Sequence, residues 1–185
     1  MNEASPSWKS MFSASPPTPP APSLSLSPTV RLITQRRYDL AVKWRFFSHL
    51  HGGGDPDSEH VYRWHIEKRS GARMRAGLHT DGWKRTTGDY VTSARGLYEG
   101  MAEDGFRLSD AVPIDPAGEL LNGAHRVACA LALGIKTIPV MHAQRDVWAP
   151  AWGYDWFVAN GMGHDDLERL CRDWREMTTE VQNAP

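Results

Sequence analysis

The chain has 185 residues, enough for one domain of ordinary size with a sizeable core. A formal net charge of −1 and a sequence pI near 6.7 exclude the global positive field that a polyanion partner would call for. The longest apolar runs, such as Val127 to Ile135, fall far short of a bilayer span. The N-terminus holds a single Lys9 and no apolar stretch before its prolines begin, so no secretory signal is expected. Of the two cysteines, Cys129 lies inside an apolar helix pattern and reads as a buried reduced thiol; the expected setting is cytoplasmic.

Residues 1 to about 30 contain seven prolines and eight serines. Such a segment buries too little apolar surface to offset its ordering entropy, so residues 1–29 are expected to be a disordered tail. Residues 30–146 then form the main domain and 147–185 an aromatic, helical extension. From Tyr38 to Leu50 the apolar residues Leu40, Val42, Trp44, Phe46, Phe47 and Leu50 predict a mostly buried helix closing at His51-Gly52-Gly53-Gly54. Asp57-Ser58 is a cap signal for a helix from Glu59 to Arg69, stopping at Ser70-Gly71. Ala72 to Gly88 is basic, Gly-punctuated and expected to be irregular.

Tyr90, Ala94, Leu97, Tyr98 and Met101 make an apolar stripe that predicts a helix from Asp89 to Asp104, ended by Gly105. Ala111 to Asp115 reads as a short strand, Pro116 to Glu119 as a hairpin-type turn, and Leu120-Leu121 as a second strand. Gly123-Ala124 opens a helix through Leu133 with Gly134 as its left-handed cap, and Ile135 to Val140 is the next strand. Trp148, Trp152, Trp156 and Phe157 predict a packed aromatic region, and a last helix runs from His164 to about Met177. These elements make an α/β (α+β) domain: a small mixed sheet with surrounding helices.

The chemistry concentrates in Asn122-Gly123-Ala124-His125-Arg126. A strand delivers the chain into a glycine, which permits close backbone approach or a positive φ. A helix begins at once, so its unpaired N–H groups and positive dipole end converge there. Arg126 adds a charge able to grip phosphate or carboxylate in bidentate fashion, and His125 a group that donates a hydrogen bond or moves a proton near neutral pH. Together these residues describe an anion pocket. The bland alternative is a plain turn glycine beside a surface arginine.

Val112-Pro113-Ile114-Asp115, Leu121 to Ala128, and Leu133-Gly134-Ile135-Lys136-Thr137-Ile138-Pro139-Val140 together resemble the ParB/sulfiredoxin superfamily. The resemblance covers roughly residues 89 to 142. It implies that family's fold and a glycine loop that binds nucleotide phosphates through Asn122, Gly123, Ala124, His125 and Arg126. Sulfiredoxin-like members place a nucleophilic cysteine where this chain has Ala124, so their thiol chemistry is not expected. Partition proteins add a DNA-binding module, for which the acidic, aromatic residues after Val140 are unsuited; DNA is not an expected partner. Free-serine kinases of the same fold share the His-Arg pair. The flanks Arg37-Tyr38-Asp39-Leu40-Ala41-Val42-Lys43 and Trp152-Gly153-Tyr154-Asp155-Trp156-Phe157 are similar to small ParB-like proteins of bacterial surface-polysaccharide gene clusters.

Beyond the loop, Asp39 and Lys43 share a helix face and form at least a modest ion pair. The other reading is that Asp39 holds substrate or metal and Lys43 a phosphate. Lys84, Arg85 and Asp89 supply two cations and a carboxylate on a Gly- and Thr-rich loop, the residue types that phosphoryl transfer needs, although Asp89 also suits a helix cap. Asp115 ends a strand beside the turn. His60 and His65 are five apart, which does not stack them as helix zinc ligands. The expected function is nucleotide-dependent phosphoryl transfer to a hydroxyl of a small metabolite such as a sugar, polyol or amino acid. In that reading ATP, ADP or CTP is the nucleotide, Mg2+ the cofactor, His125 contacts the transferring group, and Asp39, Asp89 or Glu59 is the base or magnesium ligand. A nucleotide-sensing switch and a phospho-metabolite binding module are the alternatives. A homodimer is allowed and a membrane partner is not expected.

Overall fold

The dense apolar run between Leu40 and Leu50 becomes the centre of the molecule. In the computed structural model, which describes residues 23–52, 55–78, 83–143 and 151–183, helix α1 (Asp39–Leu50) buries Leu40, Ala41, Val42, Trp44, Phe46 and Phe47. It packs against α2 (Ser58–Arg75), α4 (Ala124–Ala132) and α6 (His164–Asn183). Helices α3 (Thr87–Asp104) and α5 (Tyr154–Ala159) complete six α-helices among the described residues. The sheet has three strands, β1 (Ser23–Pro28), β2 (Val112–Ile114) and β3 (Thr137–His142), in the order β1-β3-β2. β2 runs parallel to β3 with α4 as the crossover, and β1 pairs antiparallel with β3, so the fold is mixed α/β. No helix among the described residues is long and apolar enough to cross a membrane.

Several boundaries move from where the sequence puts them. Ser23–Pro28 is a strand rather than part of the expected tail, because Ser23 to Ser27 alternates serine with leucine, a strand period, and pairs residue for residue with β3 from His142 to Ile138. Residues 1–22, Gly53, Gly54, Trp148 and the 146/147 boundary lie outside the described residues. Helix α2 does not stop at Ser70-Gly71 but runs to Arg75; both residues are buried, and an ion pair between Glu67 and Arg75 closes over Gly71. The break comes at Gly77, where φ is +71°. Leu120-Leu121 contributes a single bridge, Leu120 to Ile114, rather than a strand. Pro113 has no N–H to continue the ladder, and Asn122-Gly123 turns the chain away at once. The last helix continues past Met177 to Asn183.

Candidate functional site

The loop between β2 and α4 is built around one glycine. Gly123 has a φ of +87°, and a Cβ there would sit 2.7 Å from Val112 Cγ1 and 2.9 Å from Arg126 Nη2. Both properties anticipated for this glycine, left-handed backbone and close approach, therefore hold at once. Its N–H donates to Asn122 Oδ1 at 2.6 Å. The first helical bond is Val127 N–H to the Gly123 carbonyl, 3.0 Å. The N–H groups of Ala124, His125 and Arg126 precede it and have no acceptor among the described residues. They are the orphan donors at the start of a nine-residue helix.

Two of these donor residues, His125 and Arg126, border a cavity of about 470 Å³ lined also by Lys84, Tyr90, Ser93, Asn122 and Gly123, with Ala94 and Leu97. Among the described residues, none in that lining is a carboxylate. Arg126 is half-buried, and its Nη1 donates to the Asp110 carbonyl and, at 3.1 Å, to that of Ala111. The expected bidentate grip is thus reduced: one nitrogen of the guanidinium anchors the segment entering β2, leaving Nε and Nη2 for a ligand. The Lys84 ammonium lies 5.0 Å from the centre of the Tyr90 ring. His125 Nε2 is 2.9 Å from the Tyr62 hydroxyl. Burial, with the charges of Lys43, Arg69 and Lys84 around it, holds the His125 pKa well below its usual value. The imidazole is neutral at pH 7, so proton exchange near neutrality, one of its anticipated roles, is moved out of range.

Behind His125 lies a second, closed cluster. Arg37 clasps Asp39 through Nε on Oδ1 at 2.8 Å and Nη2 on Oδ2 at 3.0 Å, and its Nη1 donates to the Leu120 carbonyl at 2.7 Å. Lys43 Nζ donates to Asp39 Oδ2 at 2.7 Å and lies 3.3 Å from His65 Nε2. None of the four residues is more than 1% exposed. The Trp152 ring covers the group, with Arg37, Lys43 and Arg69 at 5.3, 6.0 and 5.7 Å from its centre. Burial pushes the Asp39 carboxyl up, but Lys43 and Arg37 overcome this and hold it far below the usual carboxylate range. Burial, opposed by Asp39 and reinforced by Arg69, brings Lys43 down to about 8, and burial with Lys43 lowers His65 well below its normal value.

The remaining sequence candidates scatter. Asp39 and Lys43 do not line the cavity, and their pair is far more than a modest surface contact: both oxygens of Asp39 are spent on protein donors and water is excluded. Asp89 closes a capping box with Thr86, its carboxylate accepting from the N–H groups of Arg85 and Thr86 at 2.8 and 2.9 Å. Those hydrogen bonds lower its pKa. The Arg85 side chain is outside the lining, whereas Lys84 is inside it. Glu59 pairs with Arg63 and Arg95 at 2.8 and 2.9 Å, away from the lining. Asp115 organises its own turn by accepting from Glu119 N–H. Asp39 and Asp89 therefore do not fit a magnesium site, and no group of three or more His, Cys, Asp or Glu among the described residues is placed to hold a metal ion. Cys129 is fully buried and unpaired, and burial pushes its thiol up to about 12.

The residues that sequence reading missed are Tyr62 and Ser93, together with the roles of Tyr90, Arg37 and Trp152. Tyr90 was visible only as part of an apolar stripe. Arg37 and Trp152 were visible only as flanking motifs, and the structure shows what joins them: a backbone bridge between the two residues beside the charge cluster. Comparison of the chain with family models, curated proteins and solved structures finds no match.

Proposed function

We propose that this protein binds the phosphate of a nucleotide or phosphorylated metabolite in the cavity at the start of α4. One observation carries the reading: the N–H groups of His125 and Arg126, without acceptors among the described residues, meet Lys84 and the Arg126 guanidinium in a cavity whose described lining residues include no carboxylate. Helix dipole, orphan donors and two cations all favour an anion there. The β2–loop–α4–β3 unit, with its glycine loop and parallel strands, supports the expectation of a ParB/sulfiredoxin-type fold.

Phosphoryl transfer to a hydroxyl requires a base or metal-holding carboxylate at the terminal phosphate. Asp39, Asp89 and Glu59 are each engaged elsewhere, so a nucleotide-sensing or metabolite-binding module fits the geometry better than a kinase. The test is calorimetric titration with ATP, ADP, CTP, GTP and inorganic phosphate, alone and with magnesium, followed by mass analysis with a panel of hydroxyl acceptors. Binding without a phosphorylated acceptor is the expected result. Arg126→Lys, which keeps the charge but loses the fork, should weaken binding at least tenfold; unchanged affinity removes the site, and acceptor phosphorylation restores the kinase reading.

A further inference from the structure

We propose that two copies of this chain join through the outer edges of their β1 strands, antiparallel about a two-fold axis at Ser25, to form one six-stranded sheet. β1 is an edge strand, paired with β3 on one side and with nothing among the described residues on the other. Natural edge strands are guarded against such pairing by charges, prolines, bulges or cover. From Ser23 to Ser27 this one has no charge, no proline and an unbroken register with β3; Pro28 comes only at its end. Leu24 and Leu26 are 54% and 67% exposed and, two apart, lie on the same face.

The choice of occupant follows from the sequence. Ser23-Leu24-Ser25-Leu26-Ser27 reads the same in both directions, so a strand turned through the two-fold axis meets its own pattern in register. Leu24 then faces the partner copy's Leu26, and the four leucines make one continuous strip beside Met141, the neighbour of Leu24 on β3. A slip of one residue would pair each leucine with a serine and send the two copies' leucines to opposite faces of the sheet, which breaks the strip. The chain's own upstream segment is a poorer occupant: five of the seven residues from Pro16 to Pro22 are prolines and have no N–H for a ladder. A two-fold, self-complementary patch is also the commonest way that soluble chains associate.

Light scattering on a sizing column, from about 5 to 200 µM, is the first experiment; the expected mass is twice 20.7 kDa at the upper end. Leu24→Lys with Leu26→Lys should give a monomer with unchanged circular dichroism. The register is tested separately by Ser25→Cys in a Cys171→Ser background. Opposed residues in an antiparallel pair lie about 4.5–5.5 Å apart at Cα, within disulfide reach, so mild oxidation should cross-link the Ser25→Cys chains in pairs, and Leu24→Cys should cross-link far less. A monomer at all concentrations, or a dimer indifferent to the two lysines, overturns the proposal. A dimer lost on substitution but linked more readily at position 24 overturns the register.

Discussion

Two groups of charge meet at the His125 ring, and they are built in opposite ways. The Arg37–Asp39–Lys43–His65 group is closed: the Asp39 carboxylate is saturated by donors, Trp152 lies over the cations, and nothing there reaches solvent. The Gly123–Arg126 loop is open: among the described residues its three donors lack acceptors, and the cations border a cavity lined by no carboxylate. A sequence reading scores both as candidate sites, since both pair acids or bases with helix starts. Burial separates them. A buried carboxylate whose lone pairs are filled cannot take a magnesium ion or a hydroxyl proton, whereas unfilled donors beside a cavity lack only a ligand.

The sharpest way to break this distinction is to remove Asp39. Asp39→Ala leaves Arg37 and Lys43 buried without their counter-ion, and the expected cost is about 3–5 kcal/mol of folding stability by urea denaturation. If the variant keeps near-normal stability, the closed cluster is not structural and Asp39 returns as a site residue. Acid should reach the same region more gently. His65 and His125 have folded pKa values well below the ordinary 6.5, so below that pH the unfolded chain binds protons that the folded chain does not. Stability is then present above about pH 6.5 and falls as pH drops, by up to about 1.4 kcal/mol per pH unit for each histidine. Denaturation curves at pH 7.5, 6.5 and 5.5 measure the slope, and His125→Gln should halve it.

What the sequence made legible was whatever depended on period and local turn chemistry. The α1 stripe, the α3 stripe, the β2–loop–α4–β3 unit and the left-handed glycine at 123 all follow from residues within a turn or two of one another. Other features depend on residues far apart in the chain. Asp39 is sealed because Trp152, more than a hundred positions later, lies over Arg37 and Lys43. Arg126 spends a nitrogen on carbonyls of 110 and 111, fifteen or more residues back. The turn before Leu120 was legible but not that its return is a single bridge, and the β1 strand hides inside a serine-rich stretch because its order comes from pairing with β3, more than a hundred residues away.

Gly123 offers the next largest effect, because it tests the open region's geometry rather than its charge. Gly123→Ala forces a Cβ against Val112 and Arg126 at a φ that alanine disfavours. A loss of about 1–3 kcal/mol is expected. Binding of inorganic phosphate should fall with it, since the same backbone aims the three donors. A stable variant with intact binding would mean that the loop tolerates another conformation and that its donors are not preorganised.

The smallest expected effect discriminates most cleanly between binding and catalysis. Glu59 is held by Arg63 and Arg95 near the surface; burial pushes its pKa up, but the hydrogen bonds and charges of the two arginines together outweigh this and lower it. Exposed pairs of this kind contribute less than about 1 kcal/mol, so Glu59→Gln should barely shift the melting temperature and should leave nucleotide affinity unchanged. A catalytic base behaves otherwise: its removal typically costs a factor of about 10²–10⁴ in turnover while binding persists. Any acceptor phosphorylation by the parent protein that collapses in Glu59→Gln would therefore place a carboxylate at the reacting phosphate and contradict the geometry on which the binding reading stands. Equal behaviour of parent and variant leaves the open loop as the working part of the molecule and the acids around it as its scaffold.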